Sequence, residues 1–110
     1  MNKPEVKVYS YFSVEKMYSV IVWKIIIEQL PLDELRQLSK QLIEFAENEV
    51  EKMGIEVALN GEESILIFPK DGVLNIIYYG QCMNDEETTN KIISSGKKQV
   101  NFEEEVRIEE

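Results

Sequence analysis

The chain has 110 residues, 44% of them hydrophobic, which suits one packed domain covering residues 1–110. Its 21 Asp and Glu outweigh its 12 Lys and Arg, so the net charge is −9. That charge opposes binding to double-stranded nucleic acid and docking on anionic membranes, because both depend on clustered cations.

The first predicted element is a strand at residues 5–12, where apolar and polar side chains alternate. Residues 17–30 are apolar nearly all round and fit either a helix capped by Ser13 or a strand buried on both faces. Six β-branched residues favour the strand, since such side chains lose rotamer freedom in a helix. They are Val20, Ile21, Val22, Ile25, Ile26 and Ile27.

A long amphipathic helix is predicted at residues 32–53, after Pro31 ends the preceding element. Gly54 can adopt the left-handed conformation that closes such a helix. We expect the apolar stripe of this helix to form the core, because its members recur at helical spacing. The stripe consists of Leu35, Leu38, Leu42, Phe45 and Ala46.

Three short strands are predicted next, at residues 55–59, 64–68 and 73–79, with hairpin turns at Asn60-Gly61 and Asp71-Gly72. Residues 85–95 form either a short helix closed by Gly96 or another strand. Residues 97–108 are predicted as a last strand that directs Val100, Phe102, Val106 and Ile108 to one side. The predicted fold is therefore α+β, a mixed, mostly antiparallel sheet packed on one long amphipathic helix.

The Asp71-Gly72 turn fixes the register of the hairpin around it. The expected pairs are Phe68 with Asn75, Ile67 with Ile76, and Ile65 with Tyr78. One face then carries Ile65, Ile67, Leu74, Ile76 and Tyr78, and the other carries Leu66, Phe68, Ile77 and Tyr79. Both faces are too apolar to be left in water, and the long helix can cover only one of them.

The second face needs a cover from the chain itself, from another subunit or from a ligand. We expect a homodimer in which this apolar strand surface contributes to the contact, because a symmetric partner is a simple cover. The expected interface residues are Leu66, Phe68, Ile77 and Tyr79.

The residues for common catalytic chemistry are missing. The chain has no histidine, which removes histidine-based nucleophile activation and histidine metal ligands. Its one cysteine, Cys82, cannot form a disulfide within the chain or a thiolate zinc site, and we expect it to be a small buried hydrophobe. We therefore predict no enzyme activity, no cofactor and no metal site.

The candidate ligand surface is the first strand, where Tyr9, Tyr11 and Phe12 alternate with Ser10 and Ser13. Hydroxyls and aromatic faces at a strand end can hold a base and a phosphate, although the same residues also suit packing at a sheet edge. The adjacent cations Lys97 and Lys98 could meet a phosphate or protect an edge strand. The candidate ligand residues are Tyr11, Ser13, Lys97 and Lys98.

The order of elements resembles the small viral anti-CRISPR ring-nuclease family. The matching residues are Val8-Tyr9-Ser10-Tyr11-Phe12-Ser13 at the start and Ser95-Gly96-Lys97 before the last predicted strand. The resemblance implies a dimer that binds cyclic tetra-adenylate, with Ser13 contacting a phosphate. The catalytic histidine of that family has no counterpart, and Gly80-Gln81-Cys82 stands where its arginine would follow the sheet. The resemblance thus implies binding without cleavage.

The leading expectation is a non-catalytic, acidic, homodimeric binding protein of the cytoplasm that acts by occupying a partner or ligand. A viral or mobile-element inhibitor, acting in a bacterial, archaeal or infected host cell, fits this description. One alternative is a cyclic-nucleotide sponge or inactive ring-nuclease relative, and another is an acidic assembly or secretion-type chaperone. A sponge requires cations to converge on Ser13, and the available ones are Arg36, Lys97, Lys98 and Arg107.

Overall fold

The computed structural model describes residues 6–106 and has the predicted α+β architecture, with one long helix packed on a mixed, mostly antiparallel sheet. The strands of the sheet are β1 (Val8–Val14), β2 (Tyr18–Ile27), β3 (Val57–Leu59), β4 (Ile65–Lys70), β5 (Val73–Met83) and β6 (Lys98–Gln99). The helices are α1 (Leu32–Met53), α2 (Glu86–Ser94) and α3 (Phe102–Val106), and a short 3₁₀ turn, Gly61–Ser64, precedes β4.

The sheet is organised around β5, the longest strand. One side of β5 pairs with β2, and β2 pairs with β1, all antiparallel. The other side of β5 pairs with β4 along its first half and with β3 near its end. The two-residue strand β6 runs parallel to β1 and completes the sheet.

Two choices that the sequence left open are settled by the structure. Residues 18–27 form strand β2, which lies between β1 and β5 and is buried on both faces, as its β-branched residues favoured. Residues 86–94 form helix α2, and the Asp85 carboxylate caps it by accepting the Thr88 N–H at 2.8 Å.

The predicted hairpin register is confirmed for β4 and β5. Asp71 and Gly72 both have positive φ, 53° and 79°, as a tight two-residue turn requires. The turn at Asn60-Gly61 was predicted wrongly, because Gly61 begins the 3₁₀ turn and β3 and β4 both pair with β5 instead of each other. The Gly61 N–H donates to the Tyr78 hydroxyl at 3.1 Å, which holds this turn against the sheet.

The helix face of the sheet, packed by α1 and α2, holds the larger core. Leu38, Leu42 and Ala46 of the predicted stripe are buried there, while Phe45 is exposed. Gly54 ends α1 with a φ of 68°, as predicted. The remaining core residues come from the sheet and α2, and they are Phe12, Ile21, Trp23, Ile25, Ile76, Tyr78, Cys82 and Ile92.

The opposite face, called the second face below, has a smaller core of Val20, Val22, Phe68 and Ile77. The chain itself covers this core, because Phe102 of α3 packs edge-on against Tyr79 with ring centroids 5.6 Å apart. The last predicted strand is therefore wrong beyond Gln99. Asn101 accepts the Glu103 N–H at 2.9 Å, which turns the backbone into α3, and the predicted Ile108 lies outside the described residues.

Candidate functional site

Ser13, the predicted phosphate contact, is buried and already has partners. Its hydroxyl donates to Glu15 Oε1 at 3.3 Å and accepts the Phe102 N–H at 3.2 Å. These bonds tie the start of α3 to the end of β1. The groove beside Ser13, about 920 Å³ in volume, is lined by Glu15, Glu103 and Glu104 and by no Lys or Arg among residues 6–106. This acidic groove is unfavourable for a phosphate.

The other three predicted ligand residues do not converge on Ser13. Tyr11 and Lys98 are aligned in the register of β1 and β6, with Tyr11 half-buried and Lys98 exposed. Lys97 is buried beneath the helix face, where its ammonium contacts Glu49 of α1. The candidate set of Tyr11, Ser13, Lys97 and Lys98 is thus divided between the two faces of the sheet.

Glu49 is the centre of a polar cluster between α1 and the sheet. Its Oε1 atom pairs with Lys97 Nζ and accepts hydrogen bonds from Ser10 Oγ and Trp23 Nε1, both at 3.1 Å. The side chain of Lys97 is 3% exposed and that of Glu49 is 21% exposed. Because three donors satisfy one carboxylate oxygen, the cluster fastens α1 and the segment before β6 to the sheet.

A cleft of about 700 Å³ lies between α1 and α2, next to this cluster. Three cations line it, namely Lys52, Lys91 and Lys97. Lys97 is paired with Glu49, and Lys91 contacts the Gly54 carbonyl at 3.3 Å and Glu87 at 3.5 Å. Two of the three ammonium groups are therefore neutralised within the chain, so the cleft presents little excess positive charge to an anion.

Arg36, also required for a nucleotide site, lies in a groove between α1 and β4, away from Ser13. Arg107 lies outside the described residues. Within residues 6–106, no group of three or more cysteine, aspartate and glutamate side chains is placed to hold a metal ion.

The predicted interface residues belong to the second face and are covered in the single chain. Phe68 and Ile77 are buried, while Leu66 and Tyr79 are half-buried. The chain segment that ends in α3 provides this cover. Part of Leu66 and of Tyr79 stays exposed, as does Ile26 on the same face, so α3 covers the centre of the second face and not all of it.

A different apolar surface is exposed at one end of the sheet. The apolar tip, as we call it, consists of Val14, Met17, Tyr18 and Met83. Met17 is 88% exposed, Met83 is 70% exposed and Tyr18 is 40% exposed. Tyr18 and Met83 are direct neighbours on adjacent strands, since they pair in the register of β2 and β5. Two methionines and a tyrosine exposed together are typical of protein-binding surfaces.

Hydrogen bonds hold the backbone of the tip in place. The turn between β1 and β2 is closed by the Glu15 N–H, which donates to the Tyr18 carbonyl at 2.9 Å. The Asn84 side-chain amide donates to the Glu15 carbonyl at 3.2 Å and so joins this turn to the end of β5. The tip adjoins the acidic groove, because Val14 and Glu15 line that groove as well.

The thiol of Cys82, the one cysteine of the chain, is poorly suited to nucleophilic chemistry. Cys82 is buried in β5, as expected, and its Sγ donates to the Ser19 carbonyl at 3.7 Å. Burial, and to a smaller extent the charge of Asp85, raises the pKa of the Cys82 thiol. At neutral pH the thiol is thus predominantly protonated.

Sequence reasoning missed the apolar tip and the Glu49 cluster. Met83 lies more than sixty positions after the other three tip residues in the chain, and a single methionine after a turn gives no periodic signal. The Glu49 cluster joins four distant segments, and nothing in the local sequence distinguishes Glu49 from the other carboxylates of α1.

No model of a protein family, no curated protein and no solved structure matches this chain. Within the described residues, no helix combines the length and the apolar composition needed to cross a membrane.

Proposed function

We propose that this protein is a non-catalytic binding protein that engages a protein partner through the apolar tip and the adjoining acidic groove. The observation that carries the proposal is the exposure of Met17, Tyr18 and Met83 on a hydrogen-bonded scaffold. Water-exposed apolar clusters are costly unless a partner covers them, and methionine side chains adapt to different partner shapes.

The charge around the tip defines the chemistry of the partner. The acidic groove supplies Glu15, Glu103 and Glu104, and Asp85 and Glu86 follow the tip residue Met83 in the chain. The whole chain carries a net charge of −9. A matching partner therefore presents an apolar patch bordered by lysine or arginine, because complementary charges favour correct encounter and register.

A phosphorylated ligand, including a cyclic nucleotide, is a weaker proposal for this chain. The groove at Ser13 is acidic, and the Ser13 hydroxyl is bonded to Glu15 and Phe102. The cations named for such a site lie in different places, with Lys97 on the helix face and Arg36 beside β4. These positions favour a protein partner over a cyclic-nucleotide sponge.

Occupying a basic protein partner is the mode of action expected of a viral or mobile-element inhibitor and also of an acidic assembly chaperone. The unpaired Cys82 is compatible with a cytoplasmic location in a bacterial, archaeal or infected host cell. The tip and groove would serve the inhibitor and the chaperone alike, since both would act by covering a basic, apolar surface of the partner.

The test is binding of a fluorescent amphipathic peptide of leucine and lysine, compared with a peptide in which glutamate replaces each lysine. We expect the basic peptide to bind and added salt to weaken it. The double variant Met17→Ser and Met83→Ser should bind it at least about tenfold more weakly, equivalent to about 1.4 kcal/mol.

The matched control is Ile93→Ser, which removes an exposed apolar side chain from α2. This variant should bind the basic peptide like the wild type. Equal binding by the wild type and the tip variant, or preference for the acidic peptide, would show that the tip is not the docking surface.

A further inference from the structure

One edge of the sheet, the outer edge of β4, has no neighbouring strand within residues 6–106. Strand β4 pairs only with β5. The opposite edge of the sheet is partly protected, because β6 pairs with Tyr11 and Phe12 of β1. An unpaired strand edge can template pairing with another chain.

The register of β4 and β5 identifies which backbone groups point outward. The Asp71-Gly72 turn makes Lys70 and Val73 a hydrogen-bonded pair, and such pairs alternate with pairs whose backbone groups face away from each other. The N–H and C=O groups of Ile65 and Ile67 therefore face away from β5. The Ile65 N–H donates to the Glu62 carbonyl at the end of the 3₁₀ turn, whereas the Ile67 N–H and C=O have no backbone partner within residues 6–106.

The side chains beside this edge are also incompletely covered. Ile67 is 45% exposed although it belongs to the sheet face that α1 covers. It lines a groove of about 530 Å³ together with Leu32, Leu35 and Ile65. The other residues that line this groove are polar or charged, namely Arg36, Ser39, Lys40 and Glu62. Leu32, on the first turn of α1, is exposed as well. The edge thus combines unpaired backbone groups with apolar side chains.

The charges at the β4 edge favour antiparallel over parallel pairing of two copies. Glu62 and Glu63 precede the strand, and Lys70 and Asp71 stand at its other end. Antiparallel pairing places each acidic beginning near one Lys and one Asp, whereas parallel pairing would bring four glutamates together. A two-fold axis at Ile67 aligns residues 65–69 of both strands. Pro69 then opposes Ile65. Because Pro69 has no N–H and the Ile65 N–H is already bonded to Glu62, the ladder consists of the two hydrogen bonds between the Ile67 residues.

We propose that two copies of this chain join by antiparallel pairing of their β4 edges about a two-fold axis at Ile67. The two sheets become one continuous sheet, and each Ile67 exchanges both backbone hydrogen bonds with its counterpart. The groove between α1 and β4 is closed by the side chains of the second copy. This contact differs from one through the second face, which α3 covers in the single chain.

A disulfide tests the register. Residues in a hydrogen-bonded antiparallel pair have Cα atoms about 5.5 Å apart, which is within the range that a disulfide bridges. Oxidised Ile67→Cys should therefore form a covalent dimer. The matched control is Ile26→Cys, because Ile26 is another strand isoleucine and is 42% exposed. The control should stay monomeric on a denaturing gel, and native Cys82 is buried.

Association without a cross-link provides a second test. Light scattering at about 0.15 M salt, where surface repulsion is screened, should give a dimer mass that falls on dilution. Ile67→Lys should weaken the dimer at least about tenfold, since it brings two like charges together at the axis. Ile26→Lys should leave the dimer unchanged. Hydrogen exchange at the Ile67 amide should slow as the protein concentration rises.

A monomeric mass at every concentration, with no covalent dimer of Ile67→Cys, would overturn the proposal. A dimer that tolerates Ile67→Lys would also overturn it, by placing the contact elsewhere. Loss of basic-peptide binding in the double variant of Met17 and Met83 tests the tip separately from the dimer. Met83 lies at the end of β5, whereas β4 pairs with the first half of β5. Either proposal can therefore fail without the other.

Discussion

Both faces of the sheet carry apolar side chains, but they are covered in different ways. On the helix face, α1 and α2 bury a large core that includes Trp23 and Tyr78. On the second face, Phe102 and the short helix α3 cover a core of four buried residues. The short segment around Phe102 therefore covers the centre of the second face without a second layer of long helices.

The buried polar groups packed on the sheet also differ in how they are satisfied. Glu49 of α1, on the helix face, receives three donors on one carboxylate oxygen. Two buried polar atoms have no hydrogen-bond partner in the described structure, namely the amide nitrogen of Asn75 on the second face and the hydroxyl of Ser19 on β2. We expect loss of Glu49 to be costly and loss of the Asn75 amide to be tolerated.

The largest expected effect is at Glu49. Glu49→Ala leaves the buried Lys97 ammonium without its anion, and breaking such a pair costs about 3–5 kcal/mol. Urea unfolding should reveal this loss in the free energy of unfolding. The control is Glu51→Ala on the exposed side of α1, which should change stability by no more than about 0.5 kcal/mol. If the two substitutions lowered the free energy of unfolding equally, the Glu49 cluster would contribute nothing to the stability of the fold.

The next largest effect is expected in the apolar core of the helix face. Leu42 is fully buried under the sheet. Leu42→Ala should lower the free energy of unfolding by about 2–5 kcal/mol, because it removes buried methyl groups and leaves a cavity. A loss below about 0.5 kcal/mol, as at surface sites, would contradict the packing of α1 on the sheet.

The cover of the second face should be weaker. Phe102→Ala removes the edge-on contact with Tyr79, and we expect a cost of about 1–2 kcal/mol from the lost ring pair and apolar contact. Phe45→Ala, at an exposed position of α1, is the control and should cost less. If Phe102→Ala changed neither stability nor binding of an apolar dye, α3 would not be the cover.

At Asn75 we expect a small gain in stability. Asn75→Leu replaces an unpartnered buried amide with an apolar side chain of similar size, and should be neutral or stabilising by about 1 kcal/mol. Thermal unfolding measures this change. A loss of more than about 1 kcal/mol would mean that the Asn75 amide has a partner in solution.

The smallest expected effect concerns the cap of α2. Hydrogen bonds from the backbone N–H of Thr88, and to a smaller extent from its hydroxyl, lower the pKa of Asp85 below its ordinary value. A lowered pKa in the folded state stabilises the fold above the ordinary pKa, and this contribution is lost as the pH falls through the lowered value. Wild type should therefore exceed Asp85→Asn in stability at neutral pH, and the difference should vanish in acid. A difference independent of pH would exclude the charge of Asp85 as its source.

Much of the fold follows from local patterns in the sequence. The stripe around Leu42 and the glycine at 54 defined α1, and β-branched residues favoured β2 over a helix. The Asp71-Gly72 turn gave the pairing of β4 with β5. These predictions were correct because each one depends on residues that lie close together in the chain.

The remaining errors come from patterns that fit two structures. Phe102 and Val106 suit an alternating strand, but they are also four residues apart, as on one side of a helix. Asn101 and the acids after it were the helix signals that decide between them. The tip and the Glu49 cluster depend on tertiary pairing, so no local pattern could have located them.

The most direct test of the central claim, that the chain covers both faces of its own sheet, is a nuclear Overhauser measurement between the rings of Phe102 and Tyr79. A dilute sample that mixes isotope-labelled and unlabelled chains separates contacts within a chain from contacts between chains. With ring centroids 5.6 Å apart, we predict cross-peaks within one chain. Their absence, or their appearance only between differently labelled chains, would contradict this account.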